Sequence, residues 1–380
     1  MKYYLISGEA SGDLHGSNLI KALKVEDRQA DIRCWGGDMM EKAGGTLAKH
    51  YNEMAFMGFF EVLMNLRTIS KNINYCKKDI REFGPDVIIF IDFSGFNLRI
   101  AKWAKEKGFK TNYYISPQIW ASREGRIKDI KRDIDAMYVI LPFEKKFYEE
   151  KHNFPVHFVG HPLIDAIGDR KTLNSKKFID AHGLNPDKPI IALLPGSRKQ
   201  EVQKMLDIML SIIDDFTQYQ FVVGGAPSLS KAFYEPFLAD PNVNFVHNQT
   251  YDLLEVSCAA LVTSGTATLE TAIFKVPQVV CYRANWLSYQ IAKRIITLDY
   301  ISLVNLIMGK EVVKELIQDE LTSKNLKIAL FKILDGPARQ AQFEAYELLE
   351  KKLGGQGASK KTAELIYKDL QGSDVGTKPR

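Results

Sequence analysis

Residues 1–16 read MKYYLISGEASGDLHG, and this order sets the fold. Tyr3–Ser7 is a short apolar run, Gly8 breaks it, and a helical pattern follows. Gly8, Gly12 and Gly16 recur every four residues, so the backbone can turn sharply and approach a ligand closely. The spacing is not G-x-G-x-x-G, which argues against a dinucleotide site. The same grammar recurs outward along the chain. Ile32–Trp35, Val87–Asp92, Asn112–Ser116, Met137–Leu141 and Val156–Val159 are apolar runs. Segments of helical spacing, such as Asn97–Lys107 and Glu144–Lys151, lie between them. The polar stretch Leu173–Lys188 reads as a linker. The pattern then restarts with Ile190–Leu194, Gln220–Gly224, Val243–Val246, Ala260–Thr263 and Gln278–Tyr282. Apolar runs alternating with helices imply parallel sheets covered on both faces. The predicted fold is α/β, with two doubly wound (Rossmann-like) domains facing a cleft.

Bulk properties agree. A chain of 380 residues exceeds what one core usually supports. The net charge of +5 is mild and gives no nucleic-acid signature. Arg99–Lys151 nevertheless holds 13 Lys/Arg against 8 Asp/Glu, a local basic excess suited to phosphate or anionic lipid, or simply to a solvated helix face. Cys34, Cys76, Cys258 and Cys281 are too scattered for a zinc or redox pair, which suggests a reducing cytoplasm. No signal peptide and no membrane-spanning apolar run is read.

Ligands in such folds sit beyond the carboxyl ends of the strands. The loop after the first run opens a helix whose N-terminal amides can bind an anion; Glu9 and Asp13 either cap that helix, or one caps while the other works. Asp92, in IDFSGFN, stands where a general base would be mounted or where a helix near Asn97 would be capped. Ser116–Arg123 reads SPQIWASR, with Trp120 placed to stack or to pack. Asp133 and Asp135 spell D-x-D but precede a strand, so a metal role is not assigned. Gly196, Ser197 and Arg198, in LLPGSR, combine a turn, a cation and a helix start, which is the logic of a phosphate site. Ser264, Gly265, Thr266, Ala267 and Glu270, in TSGTATLE, form a second such loop, with Glu270 in reach of a ribose diol or completing a cap. His161 reads as a packing residue. Met54–Met64 (MAFMGFFEVLM), before a basic helix, suits an anionic membrane surface or a Met-rich core. P-loop, G-x-S-x-G and H-E-x-x-H motifs are absent from the sequence.

Together these pieces resemble the lipid-A-disaccharide synthases, inverting glycosyltransferases of GT-B architecture. The matching motifs run in order: GEASGDLHG, GG near Gly36, MGFFEVL, IDFSGFN, SPQIWA, LPFE, VGHPLID, LLPGSR, TSGTATLE, SLVN and VVKELIQ. The resemblance implies a UDP-2,3-diacylglucosamine donor and a 2,3-diacylglucosamine 1-phosphate (lipid X) acceptor, joined through a β-1,6 linkage without cofactor or metal. It implies Asp92 as base for the acceptor 6-hydroxyl, with Glu9 as the second acid. UDP would be held by the two phosphate-type loops together with Asn305 and Gln318. It favours acyl contact for Met54, Phe56, Met57, Phe59 and Phe60, on the cytoplasmic face of an inner membrane, and leaves a homodimer open. It also implies domains at 1–170 and 171–336, helices at about 337–370 returning to the first domain, and a disordered tail at 371–380. The chain departs from the family pattern at Gly95, where many members carry an acid, and at Ser122 and Val304. A UDP-sugar epimerase, a muropeptide-lipid transferase and a non-catalytic binder of nucleotide and lipid are the alternatives, separable by dependence on lipid X.

Overall fold

In the computed structural model the apolar runs become two all-parallel sheets. The structure describes residues 1–53, 66–168, 170, 173–238, 240, 242–284 and 299–374. The Met54–Met64 stretch, with its candidate acyl contacts Met54, Phe56, Met57, Phe59 and Phe60, lies outside them.

The chain divides into two compact units, Met1–Asp169 with Leu353–Arg380, and Arg170–Lys352. In the first, β1 (Lys2–Ile6), β2 (Asp31–Gly36), β3 (Thr46–His50), β4 (Val87–Ile91), β5 (Thr111–Tyr114), β6 (Ala136–Val139) and β7 (His157–Phe158) lie in the order β3-β2-β1-β4-β5-β6-β7. The second holds β8 (Ile190–Leu194), β9 (Gln220–Gly225), β10 (Val243–His247), β11 (Ser257–Thr263), β12 (Gln278–Tyr282) and β13 (Lys314–Ile317), in the order β10-β9-β8-β11-β12-β13. Central strands such as Val87–Ile91 and Ile190–Leu194 are buried throughout, because helices cover both faces. In the second unit Leu193, Val223, Leu261 and Val279 join one core, while Ala192, Leu194, Val222 and Val262 join the other. This is the period-two alternation of a strand.

Three expectations change. The supposed linker Leu173–Lys188 contains a helix, Ser175–Ala181, because Asn174 accepts the Lys177 amide and Phe178 and Leu184 enter the core. β3 and β13 escaped notice because edge strands need less apolar sequence; Thr46–His50 has no buried residue. The C-terminal return begins at Leu353, not Pro337. The helix Pro337–Lys352 stays with the second unit, where the Gln342 side chain bonds Gln278 and Lys275 pairs with Glu347 and Glu350. Only the helix Ala358–Asp374 returns, packing on Ala10–Glu26. It continues through part of the expected tail, and 375–380 lie outside the described residues.

Candidate active site

Each sheet has a topological switch point, between β1 and β4 and between β8 and β11. There the connections leave in opposite directions and a crevice opens beyond the strand ends. The loops singled out in the sequence are the ones that flank these points.

In the first unit Gly8 follows β1, and a Cβ on it would lie 2.4 Å from the Phe93 ring. The glycine therefore lets the loop after β4 close over the loop after β1. Asp92 and Phe93 both adopt left-handed backbone, at φ 45° and 47°. Such non-glycine residues cost about 1–3 kcal/mol each unless their surroundings hold them. The surroundings do so here. The buried Asn97 amide and the Tyr113 hydroxyl both donate to the Asp92 carbonyl, at 2.8 and 2.5 Å. The helix Ser94–Glu106 starts immediately, three residues earlier than expected. Asp92 thus receives a bond from Asn97 instead of capping its helix.

Asp92 is exposed to solvent. Nearby protein still strips part of its hydration and pushes its carboxyl up to about 6, and the Glu9 charge adds to the rise. Glu9, exposed at the start of the helix Ala10–Glu26, makes no capping bond. Asp13 does cap, but on a different helix: its carboxylate accepts the Gly37, Met39 and Met40 amides at the start of Asp38–Lys42. The two acids of the first loop have separate fates, one structural and one free.

In the second unit Gly196 adopts φ 110°, and a Cβ there would meet the Glu201 side chain at 2.8 Å. Arg198 precedes the helix Lys199–Leu210 and is exposed. Glu201 reaches back to the Ser197 and Arg198 amides, at 3.3 and 3.4 Å, and pairs with Arg198 Nη1 at 2.8 Å. A carboxylate oxygen thus stands where the sequence expects a phosphate oxygen, on donors suited to either. Across the switch point, Ser264 donates to the Ile301 carbonyl at 2.9 Å, Gly265 and Thr266 are exposed, and the helix Thr266–Ile273 begins. Thr263 Oγ1 is buried with no partner among the described residues. Glu270 accepts the Tyr251 hydroxyl at 2.8 Å, and desolvation raises its carboxyl above the usual range.

Asn305, expected at the UDP pocket, lies inside the second unit. It is fully buried: Nδ2 donates to Val313 O and Glu315 Oε1, and Oδ1 accepts the Val312 and Val313 amides. Its side-chain amide is engaged inside the protein, where it shapes the loop. Gln318, at φ 53°, gives its oxygen to the Ala284 amide at 2.7 Å and keeps its NH2 only 3.5 Å from the Ala284 carbonyl. Asp133 and Asp135 stand at the start of β6, the opposite end of the sheet from Asp92. They are bound to Arg132, and to Lys105 and Thr111.

Residues 3–368 match the family model described as Lipid-A-disaccharide synthetase. The lipid-A-disaccharide synthase of Geobacter metallireducens is 38% identical over 373 residues, covering 96% of each chain. That of Coxiella burnetii is 37% identical over 368 residues, covering 96% of this chain and 97% of its own. The chain belongs to the lipid-A-disaccharide synthase family. Among solved structures, a UDP-GlcNAc 2-epimerase from Neisseria meningitidis bound to UDP-GlcNAc superposes with a TM-score of 0.69 at 14% identity, covering 97% of this chain and 100% of that one. A glycotransferase of kitacinnamycin gives 0.64 at 14%, covering 97% and 98%. At such identities these two show the shared GT-B fold alone.

Several synthase motifs now have structural reasons the sequence did not supply. LPFE ends in Glu144, a buried carboxylate that accepts Ser116 Oγ, Trp120 Nε1 and the Ile140 and Leu141 amides at 2.6–3.1 Å. It fastens the SPQIWA loop to the next strand, although desolvation raises its carboxyl. VGHPLID docks the C-terminal return: His161 N donates to Leu353 O, and Asp165 accepts the Gly357 and Ser359 amides. SLVN and VVKELIQ meet at Glu315, whose carboxylate takes the Ile301 and Ser302 amides and the Ser302 hydroxyl. A carboxylate inside an apolar motif was the available signal for Glu144. Nothing local marked Tyr113.

Gly8→Ala tests the Gly8–Phe93 contact. The methyl group displaces the Phe93 ring and with it the left-handed Asp92. Turnover is expected to fall about 100-fold, the scale of a 1 Å misplacement of a reacting group. Overpacking costs about 1–3 kcal/mol of stability. Adding Phe93→Ala should restore stability but not turnover, read by thermal melts and UDP-release rates.

Proposed function

We propose that the protein transfers diacylglucosamine from UDP-2,3-diacylglucosamine to the 6-hydroxyl of lipid X, releasing UDP and forming the β-1,6-linked disaccharide 1-phosphate. The observation that carries this reading is the placement of complementary chemistry at the two switch points. The first unit holds a carboxyl near pH 6 on a pinned backbone. The second holds an anion cradle at a helix start.

Asp92 takes the proton of the 6-hydroxyl, and the oxygen attacks the anomeric carbon of the donor. The bond to the pyrophosphate oxygen breaks, UDP leaves with the electron pair, and the anomeric configuration inverts. Arg198 with the Ser197 amide stabilises the charge that develops on the leaving group. Ser264, Gly265, Thr266 and Ala267 hold the rest of the diphosphate, Glu270 takes the ribose diol, and the Gln318 amide donates at the pocket edge. Glu9 keeps Asp92 basic near neutrality. Acyl chains contact Met54–Met64 at the cytoplasmic face of an anionic inner membrane. None of the described helices is long and apolar enough to cross one.

The test is UDP release from the donor with and without lipid X, in EDTA. Release that requires lipid X and survives EDTA is expected. Release that is indifferent to lipid X would overturn the transferase reading in favour of an epimerase-like turnover.

A further inference from the structure

Three arginines of the first unit, on elements that pack together, have no partner among the described residues. Arg99 lies on the helix Ser94–Glu106, Arg123 ends the short helix Ile119–Ser122, and Arg126 closes the turn that follows. Arg99 and Arg123 are exposed and Arg126 is half-buried. None of the three makes a salt bridge or side-chain hydrogen bond among the described residues, whereas nearby Arg132 is paired with Asp129 and Asp133. Asp129, whose charge offsets part of that at Arg126, is itself paired with Arg132 at 3.0 Å. Burial lowers the Arg126 guanidinium from its ordinary value, and the charges of Arg123 and Arg99 lower it further. Like charges held near one another disfavour the ligand-free protein and are relieved by an anion.

The position is informative. Arg126 lies within electrostatic reach of Tyr113, whose hydroxyl bonds the Asp92 carbonyl. Gly95 and Arg99 are four residues apart, hence on one face of their helix. A Cβ at Gly95 would meet nothing within 4 Å. Open space therefore lies beside Gly95, on the helix face it shares with Arg99. Arg123 itself is held at φ 96°, a left-handed conformation costly for an arginine.

We propose that Arg99, Arg123 and Arg126 form the binding site for the 1-phosphate of the acceptor sugar. The inference rests on the acceptor reading above. A phosphate monoester carries nearly two charges and three oxygens, which matches converging planar guanidinium groups better than it matches a lone lysine. The first unit would then hold the acceptor at both ends, with the phosphate on the arginines and the 6-hydroxyl at Asp92. The Gly95 space admits the sugar between them.

The experiment measures steady-state kinetics in neutral detergent micelles for wild type, Arg126→Gln and the more exposed Arg123→Gln. Each is assayed with lipid X and with 2,3-diacylglucosamine lacking the phosphate. Loss of one charged phosphate contact should raise the lipid X KM about 10- to 100-fold. The donor KM should stay unchanged, which also reports an intact fold. Removing the phosphate should penalise wild type similarly and the variants little further. Equal penalties for both acceptors in both variants would overturn the site. So would a penalty that tracks added phosphatidylglycerol and not the acceptor phosphate, since that marks a membrane headgroup. A rise confined to donor KM would reassign the arginines to the pyrophosphate and also overturn it. If wild type turns over donor without any acceptor, the transferase reading fails first, and this inference fails with it.

Discussion

Asp92→Asn is expected to lower UDP release by about 10²- to 10⁴-fold, the range for loss of a general base, with donor KM nearly unchanged. The asparagine keeps the size and leaves the carbonyl bonds from Asn97 and Tyr113 in place. Only the proton acceptor is lost. The same group sets the pH dependence. The attacking hydroxyl needs ionised Asp92, so turnover should rise through pH 6 and level off above it. Glu9→Gln removes a neighbouring negative charge and should move that rise to lower pH. Stability runs the other way. In the folded protein the carboxyl is pushed up to about 6 from its ordinary value, so the folded state binds the proton more tightly than the unfolded state does. Asp92 therefore costs the fold stability as pH rises between these values, and the cost persists at neutrality. Asp92→Asn should melt slightly higher than wild type at pH 7 and no higher at pH 3. A fully active Asp92→Asn enzyme would move the base to Glu9; an unshifted profile in Glu9→Gln would remove their coupling.

Arg198→Ala has the second largest expected effect, a fall in turnover of about 10²- to 10³-fold, the scale for one preorganised donor to a developing anion. Arg198 is exposed, and its one ion pair among the described residues is with Glu201, in the first turn of the helix that Arg198 precedes. Surface pairs of this kind contribute little, so the melting temperature should barely move. The separation of a large kinetic loss from a small thermal one distinguishes a leaving-group role from a structural one. Glu201 sharpens the test, because its carboxylate occupies the Ser197 and Arg198 amides in the ligand-free protein. An incoming phosphate must displace it or share its donors. UDP affinity, measured by calorimetry, should drop in Arg198→Ala. If both affinity and turnover persist, the cradle lies elsewhere in the second unit.

Much of the arrangement was legible in one dimension. Five-residue runs such as Val87–Ile91, apolar at every position, require burial on both faces, and only a parallel sheet between helices provides it. The loops GEASGDLHG, IDFSGFN, LLPGSR and TSGTATLE could be chosen because ligands sit beyond strand ends. The depth of Asn305 was not legible, for a physical reason. A polar side chain in a motif looks the same whether it faces a ligand or the protein's own backbone, and only its depth and bonds tell the two apart. The edge strands β3 and β13 and the helix within Leu173–Lys188 were missed because partly solvated elements carry weak apolar periodicity.

By itself the sequence determined the element types, the two-unit grammar and the family, because those follow from local periodicity and from motifs kept in order. The tertiary structure decided which strands became neighbours. Pairing β1 with β4 and β8 with β11 puts Glu9 beside Asp92 and Gly196 across from Ser264, although the chain separates each pair widely. It also decided charge. The elevated Asp92 carboxyl, the capping Asp13 and the unpartnered arginines depend on desolvation and on neighbours brought together through space, and no local pattern encodes either.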